Sequence, residues 1–564
     1  MKRRVLATFS GVLLLICAVT GPARAQEPAT PNPEIERLKA QLAAQQEQID
    51  QLKKTLDEQK KILDQASQPK EEARKASEEA VQPKTPSLGE VASTTAIIPA
   101  GDATPVIHPG LAAALTPSLQ TPGEPPPSPL QLHVGSATIT PIGFMDATAV
   151  FRSADGGSGI GTNFGSIPYN NASTGLGKLS EVRFSAQNSR IGARVDATVH
   201  GTHVLGYWES DFLGNQSTNA SVTSNAITFR MRLYYVDLRN GKWEVLGGQS
   251  WSLMTPGRKG ISPIPGDIFY SQDMDTNYQV GLTWTRAPQF RFVYHASDAV
   301  TMAFALEQAE QYGGGSGGGG SIVLPTLLST AYTNNQLDLG ASSFTVPNLH
   351  PDVQAKVAFD PVVNGNLLHM EVGGVFSSFK TYNPLTSTSY TTQGGGGEAN
   401  VNLELVKGLH VIVNSFLSDG EGRYLFGEAP DLIVTGEGAP LPLHAASVLP
   451  GFEYTKHDTL IYAYYGEDFI GQAVSEDPGN KDAFVGYGYP KSSNGQNKTI
   501  QEGTIGLIQT FWKNPNYGAL SLITQLSYET RNPWYLAVGA PANAHDTMVW
   551  VDLRYTLPGQ APHY

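Results

Sequence analysis

Seven arginines are spread over one stretch of the chain: Arg183, Arg190, Arg194, Arg230, Arg232, Arg239 and Arg291. A guanidinium pairs with carboxylates through a planar fork of donors. A row of such groups along a confined aqueous passage would attract small anions. The alternation of residue types around them puts Arg183, Arg230 and Arg232 on the polar side of extended segments. Glu181, Glu209, Asp211 and Asp237 stand in neighbouring segments and could neutralise the row, so both readings stay open.

A second candidate follows from a loop. From Thr255 to Asn277 the chain is punctuated by Pro and Gly and carries both signs of charge. Arg258 and Lys259 come first, then Asp267, Asp273 and Asp275. Folded into a channel, such a loop would narrow it and set cations against carboxylates, giving a field that sorts solutes by charge. An exposed loop with solvated charges is the plainer reading.

Other motifs carry less. The run from Gly313 to Ser321 lacks the Gly-Lys-Ser/Thr ending of a phosphate loop and reads as a flexible external loop tip. The twelve histidines show no HExxH pairing, and no metal or other cofactor is expected. No nucleophile–base arrangement emerges, and the chain is not expected to be an enzyme.

The elements that would hold these residues are strands. From about Leu130 to the end, segments of ten or more residues alternate apolar and polar. Phe229, Met231, Leu233 and Tyr235 alternate with Thr228, Arg230, Arg232 and Tyr234. Leu520, Leu522, Leu526 and Tyr528 oppose Ser521, Gln525, Ser527 and Glu529. In the last segment Val549, Val551, Leu553, Tyr555 and Leu557 oppose Trp550, Asp552, Arg554 and Thr556. A soluble sandwich alternates too, but there the polar face would not carry Arg, Asp and Glu at mid-strand. Tight turns at Asn240-Gly241, Lys407-Gly408, His457-Asp458 and Asn516-Tyr517-Gly518 also alternate with long loops near 153–180, 255–276, 311–350, 419–442 and 471–498. The spacing predicts an all-β fold, a transmembrane antiparallel β-barrel of about sixteen strands. One of those strands is placed at 277–296.

The first 129 residues differ. Residues 1–25 have a basic start, an apolar run and Ala23-Arg24-Ala25, the layout of a cleavable signal peptide. Within 26–66, Ile35, Leu42, Ile49, Leu56 and Leu63 recur every seven residues. Leu38, Gln45, Leu52, Gln59 and Ala66 recur three residues later, which predicts an α-helical coiled coil of two or three strands. Residues 67–129 are Pro-rich and read as a disordered linker. The barrel then occupies 130–564. The only cysteine, Cys17, lies in the signal segment. That segment holds four of the 38 basic residues, so cleavage leaves 34 against 51 acidic ones, a net charge of −17. Such a charge argues against a nucleic-acid partner.

In their order along the chain, several short stretches resemble the DcaP-like porins, trimeric barrels preceded by a coiled coil. Gln187-Asn188-Ser189-Arg190-Ile191-Gly192 and Gly206-Tyr207-Trp208-Glu209-Ser210-Asp211-Phe212 resemble that family's second and third strands. Gly248-Gln249-Ser250-Trp251 resembles the strand before its constriction loop, and Pro288-Gln289-Phe290-Arg291 its recurrent strand break. Such barrels end on an aromatic residue that closes the last strand; here Gly559 to His563 precede Tyr564.

The resemblance implies an outer-membrane porin passing small hydrophilic solutes, with anions or dicarboxylates as the expected class. Its partners would be outer-membrane lipid, lipopolysaccharide and two further copies of itself, with the arm in the periplasm. The competing readings are an outer-membrane barrel enzyme of phospholipase or protease type and a barrel-anchored periplasmic tether. The residues expected to line or constrict the pore are Arg183, Arg190, Arg194, Arg230, Arg232, Arg258, Lys259, Asp267, Asp273, Asp275 and Arg291.

Overall fold

The computed structural model describes residues 129–558, apart from short segments, chiefly 170–174, 215–228, most of 265–277, 316–319, 341–345 and 537–543. The expected signal peptide, the coiled coil and nearly all of the linker fall outside the described residues, as does Tyr564.

The alternating segments form sixteen antiparallel barrel strands. The first half comprises β1 (Ala137–Arg152), β2 (Glu181–Ser185 with Arg190–Val199), β3 (Thr202–Asp211), β4 (Arg230–Asn240), β5 (Trp243–Trp251), β6 (Arg286–Ser297), β7 (Val300–Glu307) and β8 (Asp352–Phe359). The second half comprises β9 (Asn366–Asn383), β10 (Thr388–Val406), β11 (Leu409–Asp419), β12 (His444–Lys456), β13 (Thr459–Ile470), β14 (Asn497–Asn514), β15 (Gly518–Pro533) and β16 (Ala544–Thr556). Each strand pairs with its sequence neighbours. The ring closes where β1 pairs with β16, from Phe144↔Thr556 to Arg152↔Met548. Closure pairs every strand on both sides, which is what a sheet in a bilayer requires.

The side-chain period of two sorts the faces. On β15, Leu526 and Tyr528 are 47% and 50% exposed, while Gln525, Ser527 and Glu529 are buried inside. Phe292 and Phe304, Val372, Val413 and Val551 continue the outer apolar surface around the ring. Polar groups inside and apolar groups outside are the arrangement of a membrane barrel. The turns at one end are tight. His200 and Gly201 both take positive φ, 50° and 80°, the left-handed pair that a two-residue hairpin needs.

Local departures from the sequence reading have physical causes. β4 carries a bulge opposite Glu209/Ser210, where Ser210 pairs Met231 but Glu209 pairs Leu233. The extra residue shifts the alternation, so Tyr235 turns inward and Tyr234 outward. Pro288 does not break a strand: β6 pairs through it on one side, and the Pro288 carbonyl accepts the Gln308 amide on the other. The strand expected at 277–296 starts at Arg286, because Gly281 has φ +89° and the Trp284 amide bonds the Tyr424 carbonyl rather than a barrel neighbour. The glycine run is no free tip at its described ends. A side chain at Gly320 would lie 2.1 Å from the Gly495 carbonyl oxygen.

Candidate functional site

The loop from 252 to 285 leaves β5 and turns into the barrel. Its first anchor is its own root: Arg291 on β6 donates to the Trp251 carbonyl at 2.5 Å and to the Gln289 side chain at 3.0 Å. Next, Lys356 on β8 reaches the Thr255 carbonyl at 3.0 Å, while also pairing with Glu398 at 2.7 Å and Glu371 at 3.3 Å. The Gly257 amide donates to Glu371 on β9, and the Gly260 amide to Asp360 at 3.0 Å. A side chain at Gly373 would stand 3.1 Å from Met254 and 2.8 Å from Glu398, so this glycine leaves the loop its room.

Arg258 then spans the lumen. Its two terminal nitrogens each lie 3.0 Å from a carboxylate oxygen of Glu453 on β12. β12 stands seven strands away from β5 in a ring of sixteen. Tyr464 on β13 supports Glu453 at 2.7 Å and accepts the Gln272 amide at 2.9 Å. Further along, the Val280 amide bonds Glu502 on β14 at 3.1 Å. The loop is thus tied to the wall on β8, β9, β12, β13 and β14. The inward loop runs to 285, where β6 begins, rather than to the 277 at which the sequence reading ended it.

A second loop, 420–443, also folds inward, which the sequence reading missed. Its Leu425 pairs with Trp284 of the first loop. Phe426 packs on Trp284 at 5.0 Å between ring centroids, and on Phe164 of the 153–180 loop at 5.7 Å. Arg423 pairs with Asp352 on β8. The apolar run Tyr424-Leu425-Phe426 inside an otherwise polar loop was the available sequence signal, since such a run needs an apolar partner.

The arginine row faces inward, but much of it is neutralised. Arg232 is 2% exposed and holds Glu209 at 2.8 Å and Asp211 at 2.9 Å. Arg230 holds Asp211 at 2.7 Å, Arg194 holds Asp196 at 2.7 Å, and Arg183 pairs with Glu181 at 2.5 Å. Arg190 lies 3.8 Å from Glu209. Arg183, Arg194 and Arg230 still expose 37–40% of their side chains, so they remain open to solutes. Arg239 is exposed at the tight-turn end of β4 and does not join them. Arg291 acts as an anchor of the loop rather than a lining residue. Lys259 is exposed beside the Arg258 bridge. Asp267, Asp273 and Asp275 lie outside the described residues.

Arg286 escaped the sequence reading. It sits over Trp251 at 5.2 Å and Trp284 at 5.5 Å. Among the described residues it has no carboxylate within ion-pair reach. A guanidinium held by two indoles rather than by an acid keeps its charge available.

No family model matches the chain, and no curated protein matches it. Solved structures do. The outer-membrane channel DcaP of Acinetobacter baumannii is 16% identical, with 75% of this chain and 97% of that one covered, at a TM-score of 0.52. This is a shared barrel fold, as the resemblance in the sequence implied. An anion-selective porin from Comamonas acidovorans aligns at 12% identity over 74% of this chain and 99% of its own, at a TM-score of 0.41. OmpF of Salmonella typhi aligns at 8% identity over 76% and 99%, at 0.40.

Proposed function

We propose that this chain is an outer-membrane porin that passes small hydrophilic solutes, with carboxylate-bearing anions as the preferred class. The observation that carries the proposal is the lumen itself. A closed barrel with an apolar outside holds a polar interior, and a loop bridged by Arg258 and Glu453 crosses it. A wall of inward arginines flanks that crossing. Diffusion through such a passage is governed by width, by hydrogen-bonding groups and by fixed charge.

The anion preference rests on fewer groups than the row of arginines suggests. Paired guanidiniums contribute a weaker net field than free ones. Arg286 and the exposed heads of Arg183, Arg194 and Arg230 carry what remains. The periplasmic arm and the homotrimer belong to the same proposal: the heptad pattern of 35–66 is compatible with a coiled coil of three copies.

Purified protein in a planar bilayer tests the reading. Current steps with a reversal potential on the anion side in a chloride gradient support it. A silent protein, or one that hydrolyses lipid or peptide instead, overturns it.

A further inference from the structure

Beneath the 420–443 loop, four carboxylates meet. Glu428 comes from the loop, and Asp468, Glu502 and Glu529 come from adjacent strands β13, β14 and β15. All four are at most 2% exposed. No N–H or hydroxyl donor among the described residues reaches either carboxylate oxygen of Glu428 or of Glu529, and all four oxygens are buried. No Lys or Arg lies within ion-pair reach of Glu428, Asp468 or Glu529 among the described residues. Nor do the described residues include a group of three acidic, His or Cys side chains placed to hold a metal ion.

Several buried ionised carboxylates cannot share so small a space without a counter-charge. Where no cation is at hand, one of them takes up a proton, and a carboxyl–carboxylate pair then shares it. Glu428 and Asp468 are the two placed to hydrogen-bond.

We propose that the 420–443 loop is latched into the lumen by a proton shared between Glu428 and Asp468, and that losing this proton to water releases the loop. The first loop would move with it, because the Trp284 amide bonds the Tyr424 carbonyl at 2.8 Å and Leu425 pairs with Trp284. The channel reading is needed only for the electrical consequence, a passage that widens as pH rises.

The surroundings of Glu428 agree on direction. Burial comes first, and then Asp468, Glu529 and Glu502 push its carboxyl well above the ordinary range. From the 471–498 loop, Tyr487 adds a neutral phenol whose own proton is held tightly. From the first loop come only backbone amides, Gly281 to Asp468 and Val280 to Glu502. Tyr312 of the 308–351 loop donates to the Gly427 carbonyl and brings no charge. Behind Glu529 stand two cations, Arg531 and Arg152, and one further acid, Asp546. A raised carboxyl stabilises the latched form fully below its free value, and that stability is lost as pH climbs toward the latched value.

Hydrogen exchange of residues 422–434, corrected for intrinsic rates, tests the latch without using conductance. In the wild-type trimer in detergent, protection should fall about tenfold or more between pH 5 and pH 9, the size of a one-unit linkage or larger. Glu428→Gln should keep its protection across that range. Asp468→Asn, a second variant should the first not fold, should flatten the profile likewise. Constant wild-type protection overturns the latch, as does a Glu428→Gln profile that matches wild type. Protection restored at pH 9 by millimolar calcium also overturns it, in favour of a cation. A protein silent in bilayers would sink the channel reading and leave this result standing.

Discussion

The Arg258 guanidinium grips the Glu453 carboxylate through two contacts of 3.0 Å, although 195 residues separate them. The pair joins a loop rooted on one side of the barrel to a strand on the other. Both partners are largely buried, at 15% and 6% exposure, so the bridge is not a surface ion pair that solvent screens away.

Removing one partner should therefore loosen the loop at its crossing, while its ties to β8, β9, β13 and β14 remain. Arg258→Ala leaves Glu453 buried without its cation, a change that costs roughly 3–5 kcal/mol in comparable sites. The expected outcome is a larger and noisier single-channel current with the barrel still assembled. Unchanged conductance and noise would show that the Arg258–Glu453 pair does not set the loop's position.

Arg286→Ala should weaken anion preference and shift the reversal potential toward the cation side, because among the described residues no carboxylate lies within ion-pair reach of Arg286 and its guanidinium rests on two indole rings. Arg291→Ala should act differently. Arg291 holds the Trp251 carbonyl and is 3% exposed, so its loss should cost about 1–3 kcal/mol of stability with little change in selectivity. Measuring reversal potential and melting temperature for both variants separates the two roles.

Glu310, just past β7, should make stability pH-dependent. Burial, aided by Asp338 and Asp352 against the pull of Arg423, raises its carboxyl to about 7. The folded state holds that proton more tightly than the unfolded one. Its contribution is whole below about pH 4.5 and is lost as pH rises to about 7, on the order of 3 kcal/mol in all. Glu310→Gln should flatten the thermal-unfolding profile between pH 5 and pH 7. A profile as steep as wild type would assign the slope to other groups.

Gly466 on β13 tests the packing of the first loop's return arm. A side chain there would meet the Val280 carbonyl oxygen at 1.6 Å. Gly466→Val should displace residues 278–285 at a cost of about 1–3 kcal/mol while the outer wall stays intact. Added protease sensitivity confined to this arm is the expected result; wild-type resistance would contradict the packing.

Barrel strands were easy to read because their signal is local. Residues such as Gln525 and Leu526 differ in type according to face, and lipid on one side and water on the other impose that difference along every strand. Turn pairs such as Asn240-Gly241 marked the ends. The bulge in β4 was not legible, since one extra residue is chemically unremarkable until its partner strand is known. The contrast between 278–285 and a true strand was also hidden. Val280, Leu282 and Trp284 alternate as a lipid-facing strand does, but their apolar faces meet other loops.

The site was legible in part. Arg258 and its loop were found from mixed charge and Pro/Gly spacing. Glu453 was not, because nothing in the sequence marks a partner 195 residues away. The arginine row was named, and so were three acids that pair with it, Glu181, Glu209 and Asp211; Asp196, which holds Arg194, was not. Arg286 was missed because its partners are aromatic rings rather than charges. The carboxylates that meet at Glu428 come from three strands, with Glu428 itself on a loop, a convergence that the closed ring creates.

The central claim is an open aqueous passage through a trimer of these barrels. The most direct test is the single-channel record of the purified, full-length protein in a planar bilayer. The account predicts insertion events that resolve into three equal conductance steps, with chloride more permeant than potassium. A protein that inserts stably but never conducts, or conducts only with strong cation preference, would contradict it.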